Sequence, residues 1–479
     1  MNEIRQHMVR TGRPSPTLLS VVVLAIAAGS LHPLPAALAI DSDTASGPSN
    51  TVIRLGLDDA VALALANDEQ LQQAQLAVDG AAADLQGARS GTLPQLDVAA
   101  SWTANLKKAA FFLPPDMAAS FGGVTQIEMG RDRSLAGALS LTWTLWSAGR
   151  LSAGVGASRE ALVASRWQER AVADAVRYAA EVAYCDALLA AEQVRIAEAA
   201  LAMTEESLRV AVAGHEQGRV SRFDLLRARV ELANRESPLI AARNAHDLGL
   251  LYLRRVCGID AGTPIELIDD YADIPAPAPL EDLLGRMAAG SPELRMLTHG
   301  VAAQRQVLAL AKAGRGPVVQ LQGSYVLQGE WDDGLFPGDD ARATSGSVAL
   351  AVSMPLFDGF AAKADIGRAE ADLRIAETER DRVERDRRLA VRQARLNLEN
   401  ALTALEGRQE SVSLAEEAHR LSLVRLENGL ATPLERLDAE LALTEARAQL
   451  ASTRHDCNTA RAALELAVGS ADEAVEVDR

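Results

Sequence analysis

Apolar and polar residues alternate in strict period two over four segments of the chain, two in each half. Leu96, Val98, Ala100 and Trp102 fall on one side of the first, and Gln95, Asp97, Ser101 and Thr103 on the other. In the second, Leu139, Leu141, Trp143 and Leu145 oppose Ser140, Thr142 and Thr144. The third sets Val319, Leu321, Tyr325 and Leu327 against Gln320, Gln322, Ser324 and Gln328. The fourth sets Val348, Leu350, Val352 and Met354 against Ser347, Ala349, Ala351 and Ser353. Period two sends successive side chains to opposite faces of a strand. The segments at about 94–104, 134–146, 317–328 and 346–356 are therefore predicted to be strands with one greasy face. A tilted strand of about 9 to 11 residues crosses a bilayer with its apolar side to lipid and its polar side to a lumen. A soluble sandwich shows the same alternation, with core and solvent in those places. On the membrane reading Leu96, Val98, Trp102, Leu139, Leu141, Trp143, Val319, Leu321, Tyr325, Val348, Leu350 and Val352 face lipid.

The two halves repeat one plan. LDDAVALALANDEQL from Leu57 matches LEDLLGRMAAGSPEL from Leu280, and Leu71, Gly91 and Pro94 then match Leu294, Gly314 and Pro317, each 223 residues on. Beyond the strands the offset falls to 211, carrying Leu145 to Leu356, Gly218 to Gly429, Ser221 to Thr432 and Gly258 to Gly469. The difference, 223 minus 211, is 12 residues of extra loop between the strands of the first hairpin. Long loops on one side and short turns on the other suit an outer-membrane barrel.

Between the strands the period changes to that of helices. No proline interrupts 150–217, where Val172, Val176, Ala179, Ala183, Ala187, Ala190, Val194, Ala197 and Leu201 recur at three- and four-residue steps. At about 1.5 Å per residue this is a helix on the order of 100 Å long, and 360–428 predicts a second of the same length. Shorter helices over 57–89 and 221–256, and over 280–312 and 433–468, would stack end to end beside the long ones. The organisation is a first repeat at 40–258, a Pro-rich linker at 259–279, a second repeat at 280–469 and a tail at 470–479.

Composition narrows the class. The net charge of −17 over 479 residues argues against nucleic-acid binding. Residues 1–39 read as a signal peptide: Arg5, Arg10 and Arg13 precede an apolar run from Leu18 to Leu31, and Ala37-Leu38-Ala39 supplies a small-x-small cleavage site. Cys185, Cys257 and Cys457 fit no metal spacing and read as packing residues. His455, Asp456 and Cys457 are adjacent, and neighbouring helix positions point in different directions, so they do not read as a ligand set. No phosphate loop, dinucleotide fingerprint or nucleophile elbow occurs, and the chain is expected to use no cofactor or metal and to be no enzyme.

The helix ends are sharply written. Asn428-Gly429 suits a left-handed stop, and TPLE from Thr432 to Glu435 is a capping box with proline at the first helical position. Gly218 and SRFD from Ser221 to Asp224 do the same in the first half. Glu435 has a capping role to explain it, whereas Asp438 does not.

LDDAVALALANDEQL, MPLFDGF and NGLATPLERLDAELALTEAR resemble segments of the TolC-like outer-membrane efflux and secretion channels, and the resemblance covers nearly all of the chain after residue 39. It implies a mainly α fold with a small β part, in two repeats of a β-hairpin plus long antiparallel helices. Three copies would form a 12-stranded barrel in the outer membrane and an α-helical barrel in the periplasm. Patterning alone also permits a dimer of eight strands, since four strands cannot close. The implied function is a passive exit duct of a tripartite efflux or type I secretion system, with a periplasmic adaptor and an inner-membrane pump or ABC transporter as partners. The implied adaptor-contact tips are Gly218, Arg219, Val220, Ser221, Gly429, Leu430, Ala431 and Thr432. The implied periplasmic gate is Glu435, Asp438 and Asp224. In some members an arginine and a tyrosine of the neighbouring helix tie the acid matched by Asp224. This chain has Ala431 and Leu426 at those two places, so Arg436 or Arg425 would have to substitute. A periplasmic adaptor with one helical hairpin, or a coiled-coil rod without a pore, are the alternative readings.

Overall fold

A computed structural model describes residues 52–120, 122–268, 271 and 274–469. The signal segment at 1–39 and the tail at 470–479 lie outside the described residues. In chain order the elements are β1 (Ile53–Leu55), α1 (Leu57–Asn67), α2 (Glu69–Ser90), β2 (Gln95–Ala104), β3 (Ala109–Phe112), α3 (Pro115–Ser120), β4 (Gln126–Met129), β5 (Arg133–Trp146), α4 (Arg150–Glu216), α5 (Arg222–Cys257) and β6 (Ile265–Leu267). The second repeat continues with α6 (Leu280–Gly290), α7 (Pro292–Ala313), β7 (Val318–Trp331), β8 (Arg342–Ser353), α8 (Ala361–Glu427) and α9 (Pro433–Val468).

The repeat holds element by element. Helices α4 and α8 are each 67 residues long, and α5 and α9 are each 36. The pairs α1/α6 and α2/α7 are 11 and 22 residues long in both repeats. At about 1.5 Å per residue α4 and α8 are rods of roughly 100 Å. Both α2 and α5 pack on α4, and both α7 and α9 pack on α8, so each repeat is two helices wide; α4 also packs on α7 and α9 and joins the repeats. Small residues allow these approaches: Ala180, Ala183 and Ala187 are fully buried on α4.

The helices expected over 57–89 and 280–312 are each broken near one third of their length. At Asp68 the backbone turns extended (φ −67°, ψ 128°) and the side chain accepts a hydrogen bond from Leu71 N, capping a new helix. At the matched Ser291 the break precedes Pro292, whose ring suits a first helical position. The linker also holds β6, which pairs in parallel with β1 and escaped the period-two reading because each strand has three residues.

The four longer strands form one antiparallel sheet in the order β2-β5-β7-β8. Its register aligns Val98, Leu139 and Tyr325 in one row, and Trp143, Leu321 and Leu350 in another, so the apolar positions of all four strands share a face. Asp97, Ser140, Ser324 and Ser347 form a row on the opposite face. Two details differ from simple alternation. The register shifts between Thr144 and Trp146, so Trp146 stands opposite Val319 and Leu145 drops out of the apolar row. Strand β8 begins at Arg342 and ends at Ser353, leaving Met354 beyond it. Residues 105–132 hold β3, α3 and β4, whereas 332–341 hold one 3-10 turn, which locates the twelve extra residues of the first hairpin.

Candidate functional site

At the ends of the rods opposite the sheet, α4 turns into α5 and α8 turns into α9 through one motif used twice. Gly218 and Gly429 take left-handed φ values of 74° and 71°. Arg219 N donates to Gly214 O at 2.8 Å and Gly218 N to His215 O at 2.9 Å; at the matched positions Leu430 N donates to Arg425 O at 2.8 Å and Gly429 N to Leu426 O at 3.0 Å. These are Schellman ends, which only a residue without Cβ enters freely. Each next helix is then capped. Asp224 N donates to Ser221 Oγ at 3.1 Å, while Ser221 Oγ donates to Asp224 Oδ2 at 2.7 Å. Glu435 N donates to Thr432 Oγ1 at 3.3 Å, and Thr432 Oγ1 donates to Glu435 Oε1 at 3.4 Å.

The turns stand side by side, because Asp224 and Arg227 of α5 share a cleft of about 40 Å³ with Leu434 and Leu437 of α9. Gly218, Arg219, Ser221, Gly429, Leu430 and Thr432 are exposed, and Val220 and Ala431 are half-buried. Leu430, a large apolar side chain next to the left-handed Gly429, is 69% exposed. Asp438 and Glu435 are exposed, one helical turn apart on α9. Asp224 is half-buried and committed to Ser221.

The two arginines considered as substitutes for a gate tie are engaged elsewhere. Arg425 donates to Leu430 O at 3.1 Å and lies 3.6 Å from Glu435. Arg436 turns inward and pairs with Glu440 at 2.8 Å, the two residues being 8% and 3% exposed. Ser207 Oγ of α4 also donates to Glu440, at 2.9 Å, and His419 Nε2 of α8 lies 3.8 Å from it. Three helices thus converge on one buried carboxylate. Sequence reasoning passed over Glu440; the Arg436/Glu440 spacing of four was its only signal, shared by many exposed pairs on these helices.

No group of three or more His, Cys, Asp or Glu among the described residues is placed to hold a metal ion. His455 Nε2 meets Asp186 at 2.6 Å while Cys457 is buried at 1% exposure, so that adjacent run divides between two faces. Burial pushes the Cys185 thiol up to about 12 and the Cys257 thiol up to about 11. Such thiols stay protonated and inert at neutral pH. Among the described residues no helix is long and apolar enough to cross a membrane.

Comparison with known proteins agrees with this geometry. The family described as outer membrane efflux protein matches residues 60–258 and 283–470, one block for each repeat. The alkaline protease secretion protein AprF of Pseudomonas aeruginosa is 25% identical over 299 residues, which are 61% of this chain and 61% of AprF. The toluene efflux pump outer membrane protein TtgF of Pseudomonas putida is 26% identical over 280 residues, 58% of this chain and 55% of TtgF. The match thus spans less than two thirds of these curated relatives. Among solved structures, the CmeC outer membrane channel of Campylobacter jejuni superposes with a TM-score of 0.72 at 17% identity, covering 86% of this chain and 85% of that one. CusC gives a TM-score of 0.71 at 19% identity, covering 88% and 93%. With both repeats matched by the family and the fold shared along nearly the whole described chain, the protein belongs to the outer membrane efflux protein family.

Proposed function

We propose that the chain is the outer-membrane duct of a tripartite efflux or type I secretion system, a passive conduit that receives its cargo from an inner-membrane pump through a periplasmic adaptor. One observation carries the reading: a four-stranded sheet with one continuous apolar face and two open edges, β2 and β8, stands at the end of rods about 100 Å long. Open edges in lipid leave backbone groups unsatisfied at several kcal/mol each, so the sheet requires other copies of itself. Three copies pairing β8 to β2 give 12 strands around a lumen lined by Asp97, Ser140, Ser324 and Ser347, with the helices continuing the duct through the periplasm. An adaptor or a solid rod has no use for such a sheet. The relatives' names include protein secretion and toluene efflux, so the proposal is made at the level of the duct.

The paired turns are the proposed adaptor dock, with Gly218, Arg219, Val220 and Ser221 beside Gly429, Leu430, Ala431 and Thr432. Asp438 and Glu435, with Asp224 behind them, are the proposed gate. In a trimer Asp438 and Glu435 place six carboxylates around the axis, where like charges concentrate cations. Single-channel recording in a planar bilayer tests the reading. The expected result is a cation-selective current, blocked from the helical side by a trivalent cation and less blocked as salt rises. Asp438→Asn is expected to relieve the block more than Glu435→Gln, since Glu435 is occupied by its cap and Arg425. No conductance would overturn the duct; unchanged selectivity and block in the double variant would overturn the gate.

A further inference from the structure

Strand β7 ends at Trp331, in phase with Tyr325 and Leu327 on the apolar face of the sheet. Tyr325 is exposed there, yet Trp331 is only 4% exposed. The chain that follows covers it. One row of the register crosses all four strands as Trp102, Leu135, Gly329 and Arg342, and two positions further on Arg133 faces Trp331. These residues alternate in phase with Val98, Leu139, Tyr325 and Leu350, which puts them on the apolar face.

Four of them hold the backbone of residues 334–337. Trp331 Nε1 donates to Gly334 O at 2.9 Å, and Arg133 donates to the same oxygen. Trp102 Nε1 donates to Leu335 O at 3.3 Å, and Arg342 Nη2 to Pro337 O at 2.8 Å. Gly334 takes a left-handed φ of 89°, and Gly329 leaves room for the returning chain, since a Cβ there would meet Pro337 Cγ at 3.0 Å and Ala341 O at 3.3 Å. Pro337 is buried. The segment therefore lies on the outside of the sheet as a collar. With these carbonyls already bonded inward, its outer surface is two apolar side chains, Leu335 at 64% and Phe336 at 68% exposure.

The tryptophans of the sheet give the height of this collar. Trp143 and Trp146 stand at the helix end, and Trp102 and Trp331 at the loop end. Trp143 shares a row with Leu321, so ten positions, 331 minus 321, separate the two levels. At about 3.3 Å per residue and a tilt of about 40°, they lie about 25 Å apart, the height of the apolar band of a membrane barrel. Indole rings favour the two boundaries of such a band. At the outer boundary Trp331 is covered and its N–H is taken by Gly334, so Leu335 and Phe336 stand where an indole would meet lipid.

We propose that residues 334–337 form a collar seated in the outer leaflet, with Leu335 and Phe336 at the boundary between acyl chains and headgroups. The proposal rests on the reading of the sheet as part of a barrel in lipid. The collar extends the apolar face of the sheet outward at its upper rim, and so fixes how high the mouth of the duct stands above the hydrocarbon.

The test places one nitroxide-labelled cysteine at a time in the full chain, folded into liposomes of phosphatidylethanolamine and phosphatidylglycerol. Collisions are read with oxygen, which concentrates in lipid, and with a nickel chelate, which stays in water. The native cysteines are buried. Labels at Leu335→Cys and Phe336→Cys are expected to give an oxygen-to-nickel ratio several-fold above that at Asp339→Cys, a fully exposed position of the same loop, and close to that at Tyr325→Cys on the apolar face. Ratios at 335 and 336 equal to that at 339, with Tyr325→Cys still lipid-like, overturn the collar and leave the barrel standing. A water-like ratio at Tyr325→Cys overturns the barrel reading and the collar with it. Shielding of positions 335 and 336 from both reagents also overturns the proposal, giving these side chains to a neighbouring protein surface.

Discussion

Leu139 and Ser140 are adjacent in sequence and lie on opposite faces of the sheet, which makes them a stringent test of how the barrel sits in lipid. Leu139 lies between Val98 and Tyr325 on the apolar face, near the middle of β5. Ser140 lies between Asp97 and Ser324 on the polar face. An arginine at mid-bilayer on the lipid side of such a strand costs about 2 to 4 kcal/mol, and the three copies of the proposed trimer raise this to about 6 to 12 kcal/mol. An arginine at 140 points into water and gains a neighbouring carboxylate, Asp97, so its cost is within about 1 kcal/mol. Leu139→Arg is therefore expected to fold poorly into liposomes and to lose its heat-modifiable band on gels. Ser140→Arg is expected to fold like the parent, with reduced cation selectivity in the bilayer. Equal folding defects in both variants, or a larger defect in Ser140→Arg, would refute the assignment of faces.

At the tips, Gly429→Val forces a β-branched residue into a left-handed turn at roughly 1 to 2 kcal/mol, and is expected to lower both melting temperature and adaptor affinity, whereas Leu430→Asp lowers affinity alone; calorimetry against purified adaptor separates them, and unchanged affinity in both would remove the dock from this end. Glu440→Ala strands Arg436 in a site where both are over nine-tenths buried and is expected to cost about 3 to 5 kcal/mol in urea unfolding; a loss below about 1 kcal/mol would show the cluster behaving like a surface pair. Because burial pushes the Cys185 thiol up to about 12, it stays protonated at pH 8 and is expected to resist iodoacetamide until denaturant is added; labelling of the folded protein at the rate of a free thiol would contradict this.

The repeat was readable because its spacing is a count, insensitive to which residues occupy the core. The same arithmetic that aligned Gly218 with Gly429 holds for every long helix. What the sequence hid was local. The interruption at Asp68 depends on one carboxylate competing for a backbone donor, in a stretch whose apolar period runs on past it. The displacement of Leu145 follows from a register shift that period-two counting cannot see. Charges were hardest to place. Arg425 and Arg436 stand eleven residues apart on either side of one turn, yet the first lies in solvent and the second in the core, a difference set by which helices close around them. The carboxylates at 435 and 438 were legible as a pair on one helix face, and their proposed role at the gate depends on symmetry partners that one chain does not contain.

The equal helix lengths have a further consequence. Like staves in a cask, the members of each wall must end level at both hoops: the sheet above and the turns below. Removing one heptad from α8 alone would lift its turn about 10 Å out of the lower rim while its twin stayed in place. In the proposed duct a stave can therefore be lengthened or shortened only together with the others, whereas the loop between β2 and β5 can grow on its own. The twelve residues by which the two halves differ are found in that loop.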